Sequence, residues 1–171
     1  LSTCVRSPYY YNLEHNLIYD TGSSYAVYFY YADHSTIKRN TIYSNSSSHS
    51  VYLNYSDYVT ANSNIIWNTS TGSGDYGLYL YSSTSFSSSY NYYVCNYGAT
   101  YGSSAALGSG DMEVDGDVDP PLFVSTSTGS EDFHLQSEFG RWDPGSGTWV
   151  TDSETSPCID KGDPGEAIGD E

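Results

Sequence analysis

The chain repeats itself every 24 residues, and a repeat of that length leaves few folds open. NLIYDTGSSYAVYFYYADHSTIKR (16–39) lies over NTIYSNSSSHSVYLNYSDYVTANS (40–63) without a gap. A third copy starts at Asn64 with three extra residues in its Gly/Ser segment, and a degenerate fourth starts at Asn91. Periods of this size belong to solenoids and arrays, and the local pattern decides which kind. A helical repeat needs apolar residues at i, i+3, i+4 and i+7, whereas VYFY, VYLN and LYLY alternate over short runs, as strands do. Their Tyr, Val, Ile and Thr suit a pleated surface, and the intervening TGSS, NSSS and TGSGD are turn chemistry. At roughly 3.3 Å per residue, three short strands and three turns close one coil of a parallel β-helix, with coils about 4.8 Å apart.

Coil stacking sets like residues on like. Ile18, Ile42 and Ile66 are expected to form one internal aliphatic ladder, and Val27, Val51 and Leu78 a second. Asn16, Asn40, Asn64 and Asn91 fall in register as a structural turn ladder, since asparagine tolerates the left-handed backbone of a sharp corner and stacked amides bond along the axis. Tyr28, Tyr52 and Tyr79 sit one residue from the core line and so face outward. They either cover a solvent-facing sheet or form a stacking platform for sugar rings, to which flat aromatic faces with hydroxyl handles are suited.

Near residue 102 the composition changes. All 20 tyrosines lie between Tyr9 and Tyr101, while sixteen of the 21 acidic residues lie at or beyond Asp111. Net charge is −2 over 1–110 and −14 over 111–171. The expected division is therefore coils over 1–101 and a hinge with an acidic C-terminal capping segment over 102–171. So acidic a tail repels nucleic-acid phosphates and anionic membranes, so neither is an expected partner, and no apolar run is long enough to span a bilayer. In DMEVDGDVD the alternating Asp111, Glu113, Asp115, Asp117 and Asp119 imitate half of an EF-hand. The twelfth position, however, is Leu122 where a bidentate glutamate is required. A looser calcium site, the one cofactor considered, and a solvated acidic turn both stay open. Cys4, Cys95 and Cys158 are odd in number and lack metal-ligand spacing.

DVDPPLFV (117–124), EDFHL (131–135) and SPCIDKGDP (156–164), together with the N-x-I coils, resemble secreted right-handed parallel β-helix proteins of environmental bacteria, Planctomycetes among them, with a pectate-lyase-like superfold. The resemblance implies an all-β, right-handed parallel β-helix with an irregular acidic C-terminal cap, exported from the cell, part of a larger polypeptide and without a defined reaction. The capping segment offers Leu122, Phe123, Val124, Phe133, Leu135, Trp142 and Trp149 to cover the apolar cross-section of the last coil. His134 between Phe133 and Leu135 reads as a hydrogen-bonded cap residue.

Chemistry is sparse. Asp33 and Asp57 occupy equivalent positions in adjacent coils, about 5 Å apart by stacking, as a weak candidate acid/base pair; the plainer account makes both turn residues. No nucleophile elbow, HExxH or P-loop occurs. The expectation is a non-catalytic extracellular structural or adhesive module, with end-to-end self-association or polysaccharide as partner. A polysaccharide lyase or glycoside hydrolase fragment and a carbohydrate-binding β-helix are the alternatives.

Overall fold

A computed structural model describes residues 10–19, 24–45, 48–102, 104–115 and 118–165, and the backbone of 3–6. No helix occurs among these residues; every regular element is a strand. The first coil supplies β1 (Thr3–Arg6), β2 (Asn12–Glu14) and β3 (Leu17–Ile18), and the second β4 (Tyr25–Tyr30), β5 (Thr36–Lys38) and β6 (Thr41–Ser44). The third supplies β7 (His49–Asn54), β8 (Thr60–Asn62) and β9 (Ile65–Asn68), and the fourth β10 (Tyr76–Tyr81), β11 (Ser87–Ser89) and β12 (Tyr92–Cys95). β13 (Gly98–Tyr101) and β14 (Met112–Val114) extend the stack, so solenoid pairing runs past the compositional break at 102. The strands form three parallel sheets, ordered β1-β4-β7-β10-β13, β2-β5-β8-β11 and β3-β6-β9-β12-β14.

Register follows the repeat: Val27 pairs with Val51 and Val51 with Leu78, and Ile42 pairs with Ile66 and Ile66 with Tyr93. All of these are fully buried, with Phe29, Leu53 and Ile37 beside them. Tyr93 ends the isoleucine column with its phenol inside the core, where Ser88 Oγ lies 2.9 Å away and satisfies it. Beside this column runs one of small residues, Ala26, Ser50 and Gly77. Gly77 is required, because a Cβ there would lie 2.7 Å from Cys95 Sγ and 2.9 Å from the Ala99 carbonyl.

The corners differ from the expectation in one respect. The left-handed residue is the one before each asparagine: His15, Arg39, Ser63 and Tyr90, with φ of 55°, 53°, 53° and 53°. Each donates its amide to the next coil, as Arg39 does to the Asn62 carbonyl at 3.1 Å. The asparagine instead turns its side chain inward. Asn64 Oδ1 accepts the Asn40 amide at 2.9 Å and the Asn40 Nδ2 at 3.0 Å, while Asn64 Nδ2 donates to Ile37 O at 2.7 Å and to Asn91 Oδ1 at 2.8 Å. Asp111 ends the column by accepting both the amide and Nδ2 of Asn91. A carboxylate suits that last position, where an acceptor is needed and the outer oxygen takes the Gly108 amide at 2.7 Å.

The C-terminal segment is a lateral strap, which corrects the expected plug. β15 (Phe123–Ser125) and β16 (Asp132–Leu135) form an antiparallel pair. This pair lies on the outer face of the third sheet: Phe123 stacks on Trp67 at 5.9 Å, and Phe133 meets Tyr43 at 5.5 Å and Tyr19 at 5.0 Å, reaching back over three coils. The third sheet is apolar on both faces, with Ile65, Trp67, Tyr92 and Val94 pointing out or packed against Cys158 and Leu135, and it has to be covered. The coil end is closed by small residues instead. Ala105 packs on the core, and Gly108 approaches the Ser88 carbonyl so closely that no Cβ fits. β17 (Arg141–Asp143) and β18 (Thr148–Val150) form a separate hairpin in which Trp142 and Trp149 pack edge to face, 46% and 73% exposed, away from any core.

Truncating Asn64 to alanine strands the buried Asn40 amide and Ile37 carbonyl. We expect a loss of about 2–5 kcal/mol of unfolding free energy in urea denaturation, at unchanged m-value.

A stacked aromatic face as the candidate functional site

Strands β4, β7 and β10 share one burial pattern, an outward residue, two buried ones, and then alternation, so their outward positions align from coil to coil. One column is Tyr28, Tyr52, Tyr79 and Tyr101, with ring centroids 5.4, 5.2 and 5.2 Å apart. A second column is Tyr25, His49 and Tyr76, spaced 5.9 and 6.0 Å. The two interleave, because each ring of the second leans over the next coil's ring of the first: Tyr25 over Tyr52 at 4.4 Å, His49 over Tyr79 at 4.5 Å and Tyr76 over Tyr101 at 4.8 Å. The result is one zigzag stack of seven rings along the solenoid. Planes lie near parallel at most contacts, 8° for Tyr52–Tyr79, which at these separations means offset face-to-face packing, and tilt to 42° at Tyr28–Tyr52 and 32° at His49–Tyr76. The rings therefore spend much of their flat faces on one another, and the Tyr28 hydroxyl accepts the Asn54 Nδ2 at 2.7 Å, which narrows the sugar-stacking platform expected from the sequence.

Electrostatics keep this surface neutral. Burial, and then the phenols of Tyr25 and Tyr79, push Tyr52 up to about 12, so it stays a hydrogen-bond donor. His49 occupies a position that its column otherwise fills with tyrosine, a feature that reading the repeat for its core lines passed over. Its Nδ1 accepts the Tyr76 amide at 3.1 Å, which fixes a neutral ring carrying its proton on Nε2. Burial lowers its pKa, against a smaller opposing pull from Asp75.

The other candidates have local work. Asp33 and Asp57 are stacked, but Asp33 Oδ1 accepts the Asp57 amide at 2.8 Å, and Asp57 Oδ1 accepts the Thr84 amide at 2.6 Å and its hydroxyl at 2.8 Å. They act as acceptors at a corner. Buried serines do similar work, Ser56 Oγ taking the Ala32 amide and Ser83 Oγ the Ser56 amide, so serine is more than turn composition here. Of the acidic run, Asp111 closes the asparagine column and Glu113 accepts the Ala99 amide at 2.7 Å. Asp117 lies outside the described residues, and Asp119 offers its carbonyl to the Tyr92 hydroxyl at 3.2 Å. Asp115 receives the amides of Val118 and of Asp119 on its carbonyl. Among the described residues no three His, Cys, Asp or Glu side chains gather as a metal site. Burial pushes the thiols of Cys95 and Cys158 up to about 12, which leaves both unreactive.

A groove of about 450 Å³ opens where the strap meets the third sheet, lined by Leu17, Tyr19, Thr41, Glu131–His134 and Pro144. In it His134 Nδ1 lies 2.5 Å from Asp132 Oδ1, which also accepts the His134 amide at 3.0 Å. Burial pulls the Asp132 carboxyl upward, but the amide and ring of His134 outweigh it and the net shift is down.

Fold and surface together define a parallel β-solenoid with one aromatic sheet face and a strapped third sheet. The chain belongs to the disaggregatase-related family, whose model matches residues 4–162. No curated protein and no solved structure matches it. Among the described residues no helix is long and apolar enough to cross a membrane.

Folded His49 takes up its proton at lower pH than an unfolded histidine at 6.5. Stability is then complete above that pH and falls as pH drops through the window below it, because the unfolded state binds the proton first. The stability supplied by the carboxyls of Asp132, Asp143 and Asp152, all lowered, is complete above their ordinary 3.8 and is lost only as pH falls below it. Thermal melts between these limits should fall with pH in the parent chain and flatten in His49→Asn.

Proposed function

We propose that this chain is a non-catalytic, extracellular or cell-surface module that engages polysaccharide through the first sheet. One observation carries the reading: a continuous stack of seven rings, six of them tyrosines, that recur from coil to coil on the outer face of the first sheet. A rigid surface of this kind presents many hydroxyls without ordering cost, since each ring is already fixed by its neighbours. It suits a repeating polyol better than a compact ligand, because the tyrosines recur once per coil. The family is described as disaggregatase related, and a surface that grips a polymer within an aggregate accords with that name. The adhesive role expected from the sequence is the same surface seen from the cell's side.

Retention of the chain on a panel of immobilised polysaccharides tests this. The paired substitution Tyr52→Ala/Tyr79→Ala should weaken retention by roughly tenfold or more while the melting transition stays cooperative. Unchanged retention sinks the reading.

A second reading, polysaccharide lyase or hydrolase chemistry, draws on the Asp132–His134 pair, in which the carboxylate orients an imidazole as a base within a ligand-sized groove. It predicts release of new chain ends from a glycan substrate, abolished in His134→Ala. Absence of such release across the same panel removes it.

A further inference from the structure

We infer that the β17–β18 hairpin is a second glycan-binding site, in which Trp142 and Trp149 stack on a pyranose ring. It is separate from the tyrosine face, and neither site requires the other. Trp142 and Trp149 are cross-strand partners, so both stand on one face of the hairpin. Alternation puts Arg141 and Asp143 on the other, half-buried face. The two indoles reach solvent, and Phe139, just before β17, is 93% exposed, so apolar surface gathers here outside any core.

The indole centroids lie 6.5 Å apart and their planes meet at 72°. An edge-to-face pair of this kind occupies one face of one ring, whereas Tyr52 and Tyr79 lie face on face. The remaining indole faces stand at an angle to each other and form a notch open to solvent.

Polar contacts hold the hairpin in shape, so the indoles are not needed to close it. Arg141 grips Asp152 with both Nε and Nη2, at 2.9 and 3.2 Å, and Asp152 Oδ2 also accepts the Ser137 amide at 2.8 Å. Asp143 shapes the turn, its carboxylate accepting the amides of Gly145 and Ser146 and its carbonyl that of Gly147. The notch is thus preorganised, and a ligand entering it orders little.

Such a notch calls for a flat apolar face with a polar rim. A pyranose offers both, C–H bonds on its face and hydroxyls around its edge, and neutral sugars and uronates share that shape. A protein partner needs more surface: two strands of three residues, with two side chains on the open face, fall short of the roughly 1,000 Å² of a specific protein interface. The turn also carries Pro144 into the lining of the groove that holds Asp132 and His134. A sugar stacked on the hairpin therefore lies beside acceptors and donors of the kind that orient hydroxyls.

Titration of the isotope-labelled full chain with cellohexaose and, separately, with hexagalacturonate tests the inference, read at the indole Nε1–H signals of its three tryptophans. We expect at least one hexaose to shift the Trp142 and Trp149 signals and to leave that of Trp67, packed on Phe123, in place. Trp149→Ala should weaken the apparent affinity by about fivefold or more, and Trp149→Phe, which keeps a flat ring, should recover most of it. The pair Tyr52→Ala/Tyr79→Ala should leave the indole shifts as they are, so failure of the tyrosine face and failure of the hairpin are read separately. The inference is overturned by indole signals that neither hexaose moves, by signals that answer only to phosphatidylcholine vesicles, or by shifts lost in the tyrosine pair. Affinity undiminished in Trp149→Ala, or lost equally in Trp149→Phe, overturns it as well.

Discussion

Everything in this molecule depends on coils staying in register, and the buried asparagine column is the interaction that enforces it. A parallel strand pair slipped by one residue exchanges its inward and outward sets, so a slip here would bury phenols and expose isoleucines. Backbone bonds alone do not forbid that slip, because every register pairs amides with carbonyls. Asn40, Asn64 and Asn91 do, since each side chain fits one amide and one carbonyl in neighbouring coils and lies almost wholly out of water. An unmet amide at that depth costs more than most single contacts in the core contribute.

The aromatic face is a consequence of that register. Tyrosines one coil apart can stack only if their strands hold the same phase, and each ring's neighbour then fixes its rotamer. The stack in turn screens the backbone of the first sheet, whose core side carries modest aliphatics such as Val27 and Val51. A thin solenoid interior buries little per residue, and aromatic cover on the outside adds apolar contact where the inside has no more room. The strap does the same for the third sheet, where Phe123, Phe133 and Leu135 cover Trp67, Tyr43 and Ile65. Stability and the proposed binding surface thus come from the same rings.

Much of the fold was legible in the sequence because the repeat is a direct readout of the stacking. A spacing of 24 residues, alternation within VYFY and LYLY, and aligned Ile and Val positions each state a constraint that one coil imposes on the next. The direction of the tyrosine side chains could be read from alternation. Their ring orientation could not, because it depends on Tyr25 and His49 leaning across from a neighbouring column. The corner conformation was also hidden. Asparagine is the residue usually expected at positive φ, yet here its side chain is worth more as an inward bridge, and the strain passes to whatever precedes it, even Arg39 or Tyr90.

The sequence by itself determined the all-β parallel solenoid, its period, its core lines and the segregation of tyrosine from acid, because these are periodic and local properties that repeat until they are unmistakable. Tertiary structure alone decided where the nonrepeating tail lies. Its apolar residues fit either the open coil end or the outer face of the third sheet, and nothing in their order favours one. Small residues at Ala105 and Gly108 close the end, whereas the two-sided apolar third sheet had an outer face to remove from water. That placement created the groove beside Asp132 and His134 and, among the described residues, set the strap on the third sheet rather than on the first.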